Sequence, residues 1–480
     1  MKQTYEPIIG LEIHAELLTN SKAFCSCSAD YSSAPEANTN ICPTCTGLPG
    51  ALPTLNKKAV ELSALVGLAL NCSINPLNTF ARKNYYYPDL PKGYQISQYE
   101  LPIAEQGFLK ILDDSLTVRI RRAHLEEDTA KLAHEKNSAL VDFNRAGVPL
   151  LEIVTEPDIR SAEQALDYAT KIRAILRYLG VNSGDMEKGV IRFEANVSVR
   201  PVGSAELRTR TEIKNLNSFR ALTRAIDYEI QRQSKIYDEG GEVVQETLGW
   251  DDAREVTVSQ RGKEDAHDYR YFPEPDLPPL KLDSAWVAAL RARLPELPEA
   301  KTQRFMTQFA LKESEARFLT SEKALADYFE AVISKSKSPA KTIHSWIAGE
   351  FIRYLNDNNL EIQDVTLAPE AFAKLIDMVT EKVIGASAGK TVLAELFQNG
   401  GDPAQIVREK NLAQMGDVDA IQELVAKILN DNPKEVEQYL AGKETLFQWF
   451  MGQVARASKG KADPNVAKEL MTKMLEERRK

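Results

Sequence analysis

The sequence has no long apolar run, and this absence excludes one large class of proteins. None of its segments approaches the ~20 consecutive apolar residues that a membrane-spanning helix needs. The first residues, MKQTYEPIIGLEIHAEL, carry charges inside their apolar run and lack the features of a signal peptide. Hydrophobic residues make up 43% and charged residues 27% of the 480 residues, which is ordinary for a soluble globular protein. We therefore expect a cytoplasmic protein.

The familiar nucleotide-binding motifs are also missing. Residues 385–391, GASAGKT, are one residue short of the P-loop pattern and follow a helical pattern instead of a strand. No dinucleotide-binding fingerprint or protein-kinase signature is evident. If the chain binds ATP, it does so with a different fold. The formal charge of −9 argues weakly against a protein coated in nucleic acid, but local basic patches still allow a tRNA partner.

Cysteine is scarce, and four of the five cysteines are clustered. Cys25 and Cys27 form C-x-C, and Cys42 and Cys45 form C-x-x-C. In a reducing compartment such clusters are more often metal ligands than disulfides. Two close pairs can place four thiolates tetrahedrally around zinc, with no open position, so the site would be structural. The alternatives are four buried thiols or two disulfides, whereas Cys72 is expected in the core.

The length of the chain predicts several domains. The first ~280 residues hold all the cysteines, four of the five histidines and most strand patterns, and a Pro-rich segment, YFPEPDLPPL, ends them. The later patterns are mostly helical. We predict an α+β fold in which residues 1–293 combine a mixed, largely antiparallel sheet with helices. Residues 294–404 would form a helical domain, and residues 405–480 a small all-helical tail.

Alternating residues predict two half-buried strands in the first domain. In residues 5–17 the polar face carries Glu12 and His14, and in residues 191–199 it carries Glu194 and Asn196. A helix is predicted between them, beginning with Ser161 and Gln164 in the form of a capping box and ending at Gly180, and a second helix is predicted after Asn217. Strands and helices are mixed without a strict βαβ rhythm, which favours α+β.

Acidic residues on these strands are candidate metal ligands. The segment IRRAHLEED adds Glu126 and Glu127 to Glu12, His14 and Glu194. Carboxylates on strands suit hard cations such as Mg²⁺, which prefer oxygen ligands and bind nucleotide phosphates. The alternative is the solvated polar face of an antiparallel sheet. Only convergence of these side chains in space can separate the two interpretations.

Basic and amide side chains are candidate phosphate contacts. They lie in the segments RKN, KGYQ and TRTEIKNLNS, which begin at Arg82, Lys92 and Thr209. Fixed Lys and Arg groups would neutralise a triphosphate and its transferring phosphoryl group. Ordinary surface charge is the alternative for each segment alone.

Long segments of the sequence resemble one family. They are GLEIHAEL, CPTCTGLPGALPTLN, YYYPDLPKGYQISQYELPI, AHLEED, VDFNRAGVPLLEIVTEPDI, ANVSVRP, RTEIKNLNSFRAL, DYRYFPEPDLPPL and the tail NPKEVEQYLAGKETLFQWFMGQVARASKGKADP. Together they resemble the B subunit of the aspartyl/glutamyl-tRNA(Asn/Gln) amidotransferases over nearly the whole chain. The resemblance implies a cradle-shaped, ATP-dependent aminoacyl-tRNA kinase domain in residues 1–293, a helical linker domain, and a tRNA-binding tail.

The resemblance also implies a reaction. The side-chain carboxylate of misacylated Glu-tRNA(Gln) or Asp-tRNA(Asn) is phosphorylated by ATP, and ammonia then displaces phosphate to leave the amide. The sequence lacks a glycine/serine-rich amidase signature, so the ammonia would come from an amidase partner, the A subunit, while a small C subunit would complete a heterotrimer. Which tRNA serves as substrate depends on the synthetases of the cell.

The resemblance implies roles for specific residues. The family's Mg²⁺ ligands fall on Glu12, His14, Glu126 or Glu127, and Glu194, where many members have Asp. The implied catalytic set is these residues with Lys214, and the structural Zn²⁺ ligands are Cys25, Cys27, Cys42 and Cys45. The implied ATP contacts are Lys83, Lys92, Asn196, Ser198, Arg210 and Lys214. If its strand is regular, Glu126 shares a face with His124 and Glu127 points the other way.

The tail is predicted to contact tRNA through Lys443, Arg456, Lys459 and Lys461, although a solvated basic surface would look the same. Two other functions remain open from the sequence. One is a zinc-stabilised tRNA-binding scaffold without chemistry of its own. The other is a stand-alone ligase that joins a free carboxylate to ammonia.

Overall fold

The structure is a computed structural model that describes residues 4–112, 114–136, 138–260, 269–413, 418–458 and 461–479. Its backbone separates into two compact units, Met1–Pro298 and Glu299–Lys480. The first unit contains a mostly antiparallel sheet with helices, and the second is helical, which confirms the predicted α+β class. Among the helices described, none has the length and apolar character to cross a membrane.

The first unit contains all the strands of the described chain. They are β1 (Tyr5–Glu16), β2 (Ser73–Ile74), β3 (Leu77–Asn78), β4 (Ala81–Asn84), β5 (Tyr94–Ser97), β6 (Ala104–Ile111), β7 (Leu116–Glu127), β8 (Lys131–His134), β9 (Ala139–Asp142), β10 (Pro149–Thr155), β11 (Ile191–Pro201), β12 (Thr211–Leu216), β13 (Thr247–Asp251), β14 (Val256–Ser259), β15 (Phe272–Pro273) and β16 (Leu280–Lys281). Its helices are α1 (Lys57–Ala69), α2 (Ala162–Tyr178), α3 (Phe219–Asp238) and α4 (Ser284–Arg291).

One large sheet organises the first unit. Across the described residues its strand order is β14-β13-β12-β11-β1-β10-β7-β6-β2. The pairs are antiparallel except β12 with β13, which run parallel. The two strands predicted from alternation, β1 and β11, are direct neighbours, and β10 lies between β1 and β7. The polar faces of these four central strands therefore lie side by side.

Helices cover the apolar face of this sheet, and two pockets lie on its polar face. Ile9, Leu11 and Ile13 of β1 belong to the same buried cluster as Ala165 and Ile172 of α2. Burying an isoleucine or leucine side chain contributes about 1.5–3 kcal/mol. The apolar residues of the strands thus fix which face turns toward the helices, and the same alternation turns Glu12 and His14 away from them.

The predicted N-terminal cap of α2 at Ser161 is confirmed, although the reciprocal half of the capping box differs. The hydroxyl of Ser161 accepts a hydrogen bond from the backbone N–H of Gln164 at 3.2 Å. The side chain of Gln164 reaches back to the backbone N–H of Arg160 at 2.7 Å, one residue earlier than in a regular capping box. The second predicted helix is α3, whose first turn is capped by Ser218.

The second unit consists of helices. They are α5 (Pro298–Phe309), α6 (Glu313–Leu319), α7 (Lys323–Ile333), α8 (Ala340–Trp346), a π-helical turn (Ile347–Phe351), α9 (Ile352–Asp357), a 3₁₀ turn (Ile362–Asp364), α10 (Pro369–Thr380), α11 (Ala386–Asn399), α12 (Pro403–Glu409), α13 (Val418–Asp431), α14 (Pro433–Leu440), α15 (Leu446–Ala457) and α16 (Pro464–Glu477). The segment GASAGKT begins α11 and follows α10, so it has no P-loop context.

Two separate hydrophobic clusters lie within the second unit. One is formed by buried residues between Phe305 and Val407, and the other by buried residues between Ile421 and Leu475. The predicted boundary at residues 404/405 falls inside α12, whose Ile406 and Val407 belong to the first cluster. The division of the chain into three domains stays a prediction.

Candidate active site and metal centres

Acidic and basic side chains lie next to each other on the polar face of the central sheet. His14 on β1 lies opposite Glu152 on β10, and Glu152 lies opposite His124 on β7. On the other side of β1, Glu12 lies opposite Glu194 of β11. Like charges directly opposite each other destabilise a sheet, so a cation between Glu12 and Glu194 would stabilise the pair.

A compact group of ligand atoms surrounds His14. Its Nε2 lies 3.4 Å from Oε2 of Glu152, 3.6 Å from Oε1 of Glu12 and 3.8 Å from Oε1 of Glu126. The ligand atoms of Glu12, His14 and Glu194 all lie within 4.8 Å of one another, and so do those of His14, Glu126 and Glu152. Four predicted ligands, Glu12, His14, Glu126 and Glu194, therefore converge on one place.

The pKa values in this group reflect crowded negative charge. Burial and the charge of Glu152 raise the pKa of Glu12 to about 8 and that of Glu126 to about 7. Burial alone would lower the pKa of His14, but the hydrogen bond with Glu152 and the surrounding carboxylates raise it to about 9. Glu12 and His14 are therefore mostly protonated at neutral pH, and a divalent cation would displace these protons. The residues present therefore fit a metal ion.

His124 behaves differently from His14 although both face Glu152. Burial lowers the pKa of His124 to about 4, so this imidazole is neutral at physiological pH. Its Nε2 lies 3.5 Å from Oε2 of Glu152. A neutral His124 can donate a hydrogen bond to Glu152 and hold that carboxylate in place.

Lysines flank the acidic group. Nζ of Lys214 on β12 lies 2.6 Å from Oε2 of Glu194 and 3.3 Å from Oε1 of Glu212. Nζ of Lys83 on β4 lies 5.0 Å from the centre of the Tyr269 ring. Although burial acts to lower the pKa of Lys83, the carboxylates of the group raise it above its usual value, so Lys83 remains charged.

Most of the predicted phosphate contacts line two pockets that share Glu12, Lys83 and Lys214. The larger pocket also includes Asn196, Ser198 and Arg210, as well as Tyr99 and Tyr271, whose rings stack 4.1 Å apart. Residues that were predicted separately, on β4, on β11 and in the segment before β12, thus lie in one region of the structure.

Glu127 and Lys92 do not join this region. The carboxylate of Glu127 accepts hydrogen bonds from Nζ of Lys92 and from the backbone N–H of Ile96. Both side chains line a different pocket, beside Cys25 and Cys45. The reason is the alternation of β7, which turns Glu126 toward His14 and Glu127 to the opposite side. Of the two glutamates offered by the sequence, the geometry therefore places Glu126 in the acidic group.

Sequence reasoning missed Glu152. Its strand, PLLEIVT, is buried along nearly its whole length and so lacks the alternation that revealed β1 and β11. The available signal was a single carboxylate within an apolar run. A buried carboxylate needs charged or hydrogen-bonding partners, so its presence there indicates a polar site.

A second polar network adjoins the acidic group. The buried carboxylate of Asp128 accepts hydrogen bonds from both terminal nitrogens of Arg192, at 3.0 and 3.2 Å, and lies 3.8 Å from Nε of Arg145. Burial and the nearby charge of Asp128 raise the pKa of Glu16 to about 8. The Tyr31 hydroxyl lies 3.2 Å from the Glu16 carboxylate. This network connects the polar face of the sheet with the segment between the cysteine pairs.

The four predicted cysteines form a tight group. Their sulfur atoms lie within 4.8 Å of one another, and none forms a disulfide. The fully buried Lys22 lies beneath them, with Nζ 2.9 Å from the carbonyl oxygen of Asn40 and 3.8 Å from Sγ of Cys45. A hydrogen bond from Cys25 and the charge of Lys22 are among the causes that lower the pKa of Cys45 to about 4. A buried ammonium beside four thiols fits an anionic tetrathiolate centre.

Three of the four predicted tRNA contacts, Lys443, Arg456 and Lys461, are among the described residues. Lys443 and Arg456 are exposed and Lys461 is partly exposed. Lys459 lies outside the described residues. The side chains that are described are therefore accessible to a partner.

Comparison with known proteins places the chain in a family. Residues 7–288 match the family model described as the GatB/GatE catalytic domain, and residues 327–475 match the GatB domain. The aspartyl/glutamyl-tRNA(Asn/Gln) amidotransferase B subunit of Caldanaerobacter subterraneus subsp. tengcongensis is 49% identical over 98% of this chain and 99% of its own length. Those of Thermodesulfovibrio yellowstonii and Moorella thermoacetica are 49% and 50% identical, over 98% of this chain and 100% of their own lengths. The chain therefore belongs to the family of aspartyl/glutamyl-tRNA(Asn/Gln) amidotransferase B subunits.

Proposed function

We propose that this chain activates the side-chain carboxylate of misacylated Glu-tRNA(Gln), Asp-tRNA(Asn) or both with ATP, and then forms the amide with ammonia. The observation that carries the proposal is the convergence of Glu12, His14, Glu126, Glu152 and Glu194 beside two lysines. A scaffold that only bound tRNA would gain nothing from buried carboxylates held at such cost in charge repulsion.

The reaction follows from the chemistry of a carboxylate. An oxygen of the side-chain carboxylate forms a bond with the γ-phosphorus of ATP, and the bond to the β–γ bridging oxygen breaks as ADP leaves with the electron pair. Ammonia then forms a bond to the acyl carbon, phosphate leaves with the electrons of the C–O bond, and the surplus proton passes to phosphate or water. The protein has to position these groups and stabilise charge.

The acidic group is the proposed Mg²⁺ site. Glu12, Glu126, Glu152 and Glu194 would supply carboxylate oxygens, and His14 its Nε2. When bound, Mg²⁺ neutralises phosphate charge in phosphoryl transfer. His124 would keep Glu152 in position. This assignment extends the predicted set by Glu152 and leaves Glu127 out.

The two adjoining pockets are the proposed site for ATP and the acylated tRNA end. Lys83 and Lys214 would face phosphate groups, because both stay protonated in the pocket. Asn196, Ser198 and Arg210 would donate hydrogen bonds from the larger pocket. Lys92 is engaged with Glu127 in another pocket, so we do not assign it to ATP.

The cysteine group is the proposed structural Zn²⁺ site. Cys25, Cys27, Cys42 and Cys45 would occupy all four tetrahedral positions, which leaves none for a reacting water. The positive charge of Lys22 would offset part of the double negative charge of such a centre. The ion would hold together a long segment that contains little regular secondary structure.

Partner proteins complete the proposed activity. The relatives are named as one subunit of an amidotransferase, which supports a multi-subunit enzyme. We propose that an amidase partner, the A subunit, supplies the ammonia and that a small C subunit joins the assembly. The tail would contact tRNA through Lys443, Arg456 and Lys461, and the two hydrophobic clusters of the second unit support a separate linker domain and tail. A cytoplasmic location stays a prediction.

The experiment uses the full chain with its amidase partners, ATP, glutamine and Glu-tRNA(Gln) carrying ¹⁸O in the side-chain carboxylate. Transfer of ¹⁸O to inorganic phosphate, together with Gln-tRNA(Gln), is the expected result. Glu12→Gln should abolish both products and leave tRNA binding intact, whereas the exposed Glu163→Gln should behave as wild type. If Glu12→Gln turned over normally, the acidic group would not be the catalytic Mg²⁺ site, and the proposal would lose the observation that carries it. Amide formation on free glutamate would favour the stand-alone ligase.

A further inference from the structure

Arg192 is a cation on the polar face of the sheet, next to the proposed Mg²⁺ site. It lies on β11 directly opposite His14 and two residues before Glu194. Its side chain lines the same pocket as Glu12, His14 and Lys214, and is 30% exposed. The guanidinium therefore belongs to the wall of the pocket in which phosphate groups are proposed to bind.

The guanidinium is held by a carboxylate behind it. Both terminal nitrogens of Arg192 donate to Asp128, and one of them also approaches the carbonyl oxygen of Gly189 at 3.5 Å. The Asp128 side chain is only 3% exposed and lines the same pocket. The geometry fixes the plane of Arg192 before any ligand binds.

Two N–H groups of Arg192 have no partner among the described residues. A guanidinium carries five, and the contacts with Asp128 and Gly189 use three of them. The remaining donors are the Nε–H and one N–H of a terminal nitrogen. A planar pair of donors matches the spacing of two phosphate oxygens better than a single ammonium does.

Lys214, which lines the same pocket, is less available for this role. Nζ of Lys214 lies 2.6 Å from Glu194, a member of the acidic group, and 3.3 Å from Glu212. The partner of Arg192, in contrast, lies outside the acidic group and is shared with Arg145. Arg192 therefore keeps part of its guanidinium edge available, whereas the ammonium of Lys214 is held by two carboxylates.

We propose that Arg192 contacts the phosphoryl group during its transfer, and that Asp128 is a positioning residue that acts through Arg192. The inference rests on the proposed function. Arg192 donates to nonbridging oxygens of the γ-phosphate while the carboxylate oxygen of the substrate forms its bond to phosphorus and the bond to the bridging oxygen of ADP breaks. The same contact holds the phosphate of the acyl phosphate, which leaves with the electron pair when ammonia attacks.

A binding experiment separates the γ-phosphate from the rest of the nucleotide. In the full chain, Arg192→Gln should weaken a non-hydrolysable β,γ-methylene analogue of ATP by about 10-fold and change ADP affinity by less than about 2-fold, since one bidentate contact is lost. Arg145→Gln is the matched control, because Arg145 contacts Asp128 but does not line the pocket. It should bind the analogue like wild type. Equal weakening of the analogue and ADP would overturn the inference.

Turnover gives a second test in the assembled enzyme with ammonia as the nitrogen source. Arg192→Gln should lower kcat by about 100-fold, Arg192→Lys should recover part of it, and millimolar guanidinium should rescue Arg192→Ala. If wild type forms the amide and Arg192→Gln matches it, the inference fails while the proposed function stands. If wild type forms none, the proposed function itself fails.

Asp128→Asn tests the positioning role. The asparagine amide presents a donor to one guanidinium nitrogen, so Arg192 should lose its fixed plane and kcat should fall by about 10-fold with little change in KM. The double variant Arg192→Gln/Asp128→Asn should be no slower than Arg192→Gln alone, because Asp128 acts through Arg192. Additive losses would show that Asp128 has a separate role and would overturn this part of the inference.

Discussion

Glu152 offers the most direct test of the acidic group, because its carboxylate lies between His14 and His124. Glu152→Gln keeps the size of the side chain and removes its charge. Burial and the charge of Glu152 raise the pKa of Glu12, and Glu152 also raises the pKa of His14 against the effect of burial. We expect both pKa values to fall in the variant.

These shifts make the metal-free protein less stable as the pH rises. The pKa of His14 rises from 6.5 to about 9 on folding, so its contribution is fully present below pH 6.5 and is lost as the pH passes 9. Glu12, with a pKa raised from 4.5 to about 8, also binds its proton more tightly in the folded chain and acts in the same direction. At 1.36 kcal/mol per pKa unit, the His14 shift alone corresponds to about 3 kcal/mol.

The assay is chemical unfolding of the chelator-treated chain at pH 6.5 and pH 9. Wild type should lose at least about 3 kcal/mol of unfolding free energy over this interval, because Glu12 adds to the His14 contribution, and Glu152→Gln should lose less than about half of the wild-type loss. Saturating Mg²⁺ should restore the stability of wild type at pH 9, since a cation replaces the lost protons. Glu163→Gln, on the exposed side of α2, should follow wild type. An equal loss in wild type and Glu152→Gln would refute the reasoning.

Three further predictions concern other parts of the chain. Lys22→Met removes the counter-charge of the cysteine group and should lower Zn²⁺ affinity by about 10-fold or more in a competition with a chelator; unchanged affinity would contradict its role. Ser161→Ala removes the cap of α2 and should lower the unfolding free energy by about 1 kcal/mol in urea, whereas Ser161→Asp should not. Lys443→Glu with Arg456→Glu should weaken tRNA binding and lower its salt dependence by about one unit of slope per lost phosphate contact; an unchanged slope would remove these side chains from the interface.

Patterns within single elements were predictable from the sequence. Alternation placed Glu12 and His14 on one face of β1, and it assigned Glu126 and Glu127 to opposite sides of β7. The serine cap and the terminal glycine located α2. The spacing of the cysteine pairs predicted a four-sulfur group. In each case the information lies within a few consecutive residues, because side-chain direction follows local backbone geometry.

The relations between elements were not predictable in the same way. The segment PLLEIVT does not predict that β10 lies between β1 and β7, and therefore Glu152 was not predicted as a member of the acidic group. The ion pair of Lys92 with Glu127 joins residues 35 positions apart, and Lys92 could not be separated from the phosphate contacts beforehand. Such pairings depend on strand order and register, which the packing of the whole sheet decides.

The two faces of the central sheet explain why such an acidic group can exist. On the polar face, Glu12 opposes Glu194 and the buried carboxylates repel one another, which destabilises the metal-free chain. On the other face, β1 buries Ile9, Leu11 and Ile13 against helices, each contributing about 1.5–3 kcal/mol. Because both faces belong to the same strands, a one-residue slip of β1 that moved Glu12 away from Glu194 would also expose these three side chains. The apolar face therefore holds the carboxylates close together, as the proposed Mg²⁺ site requires.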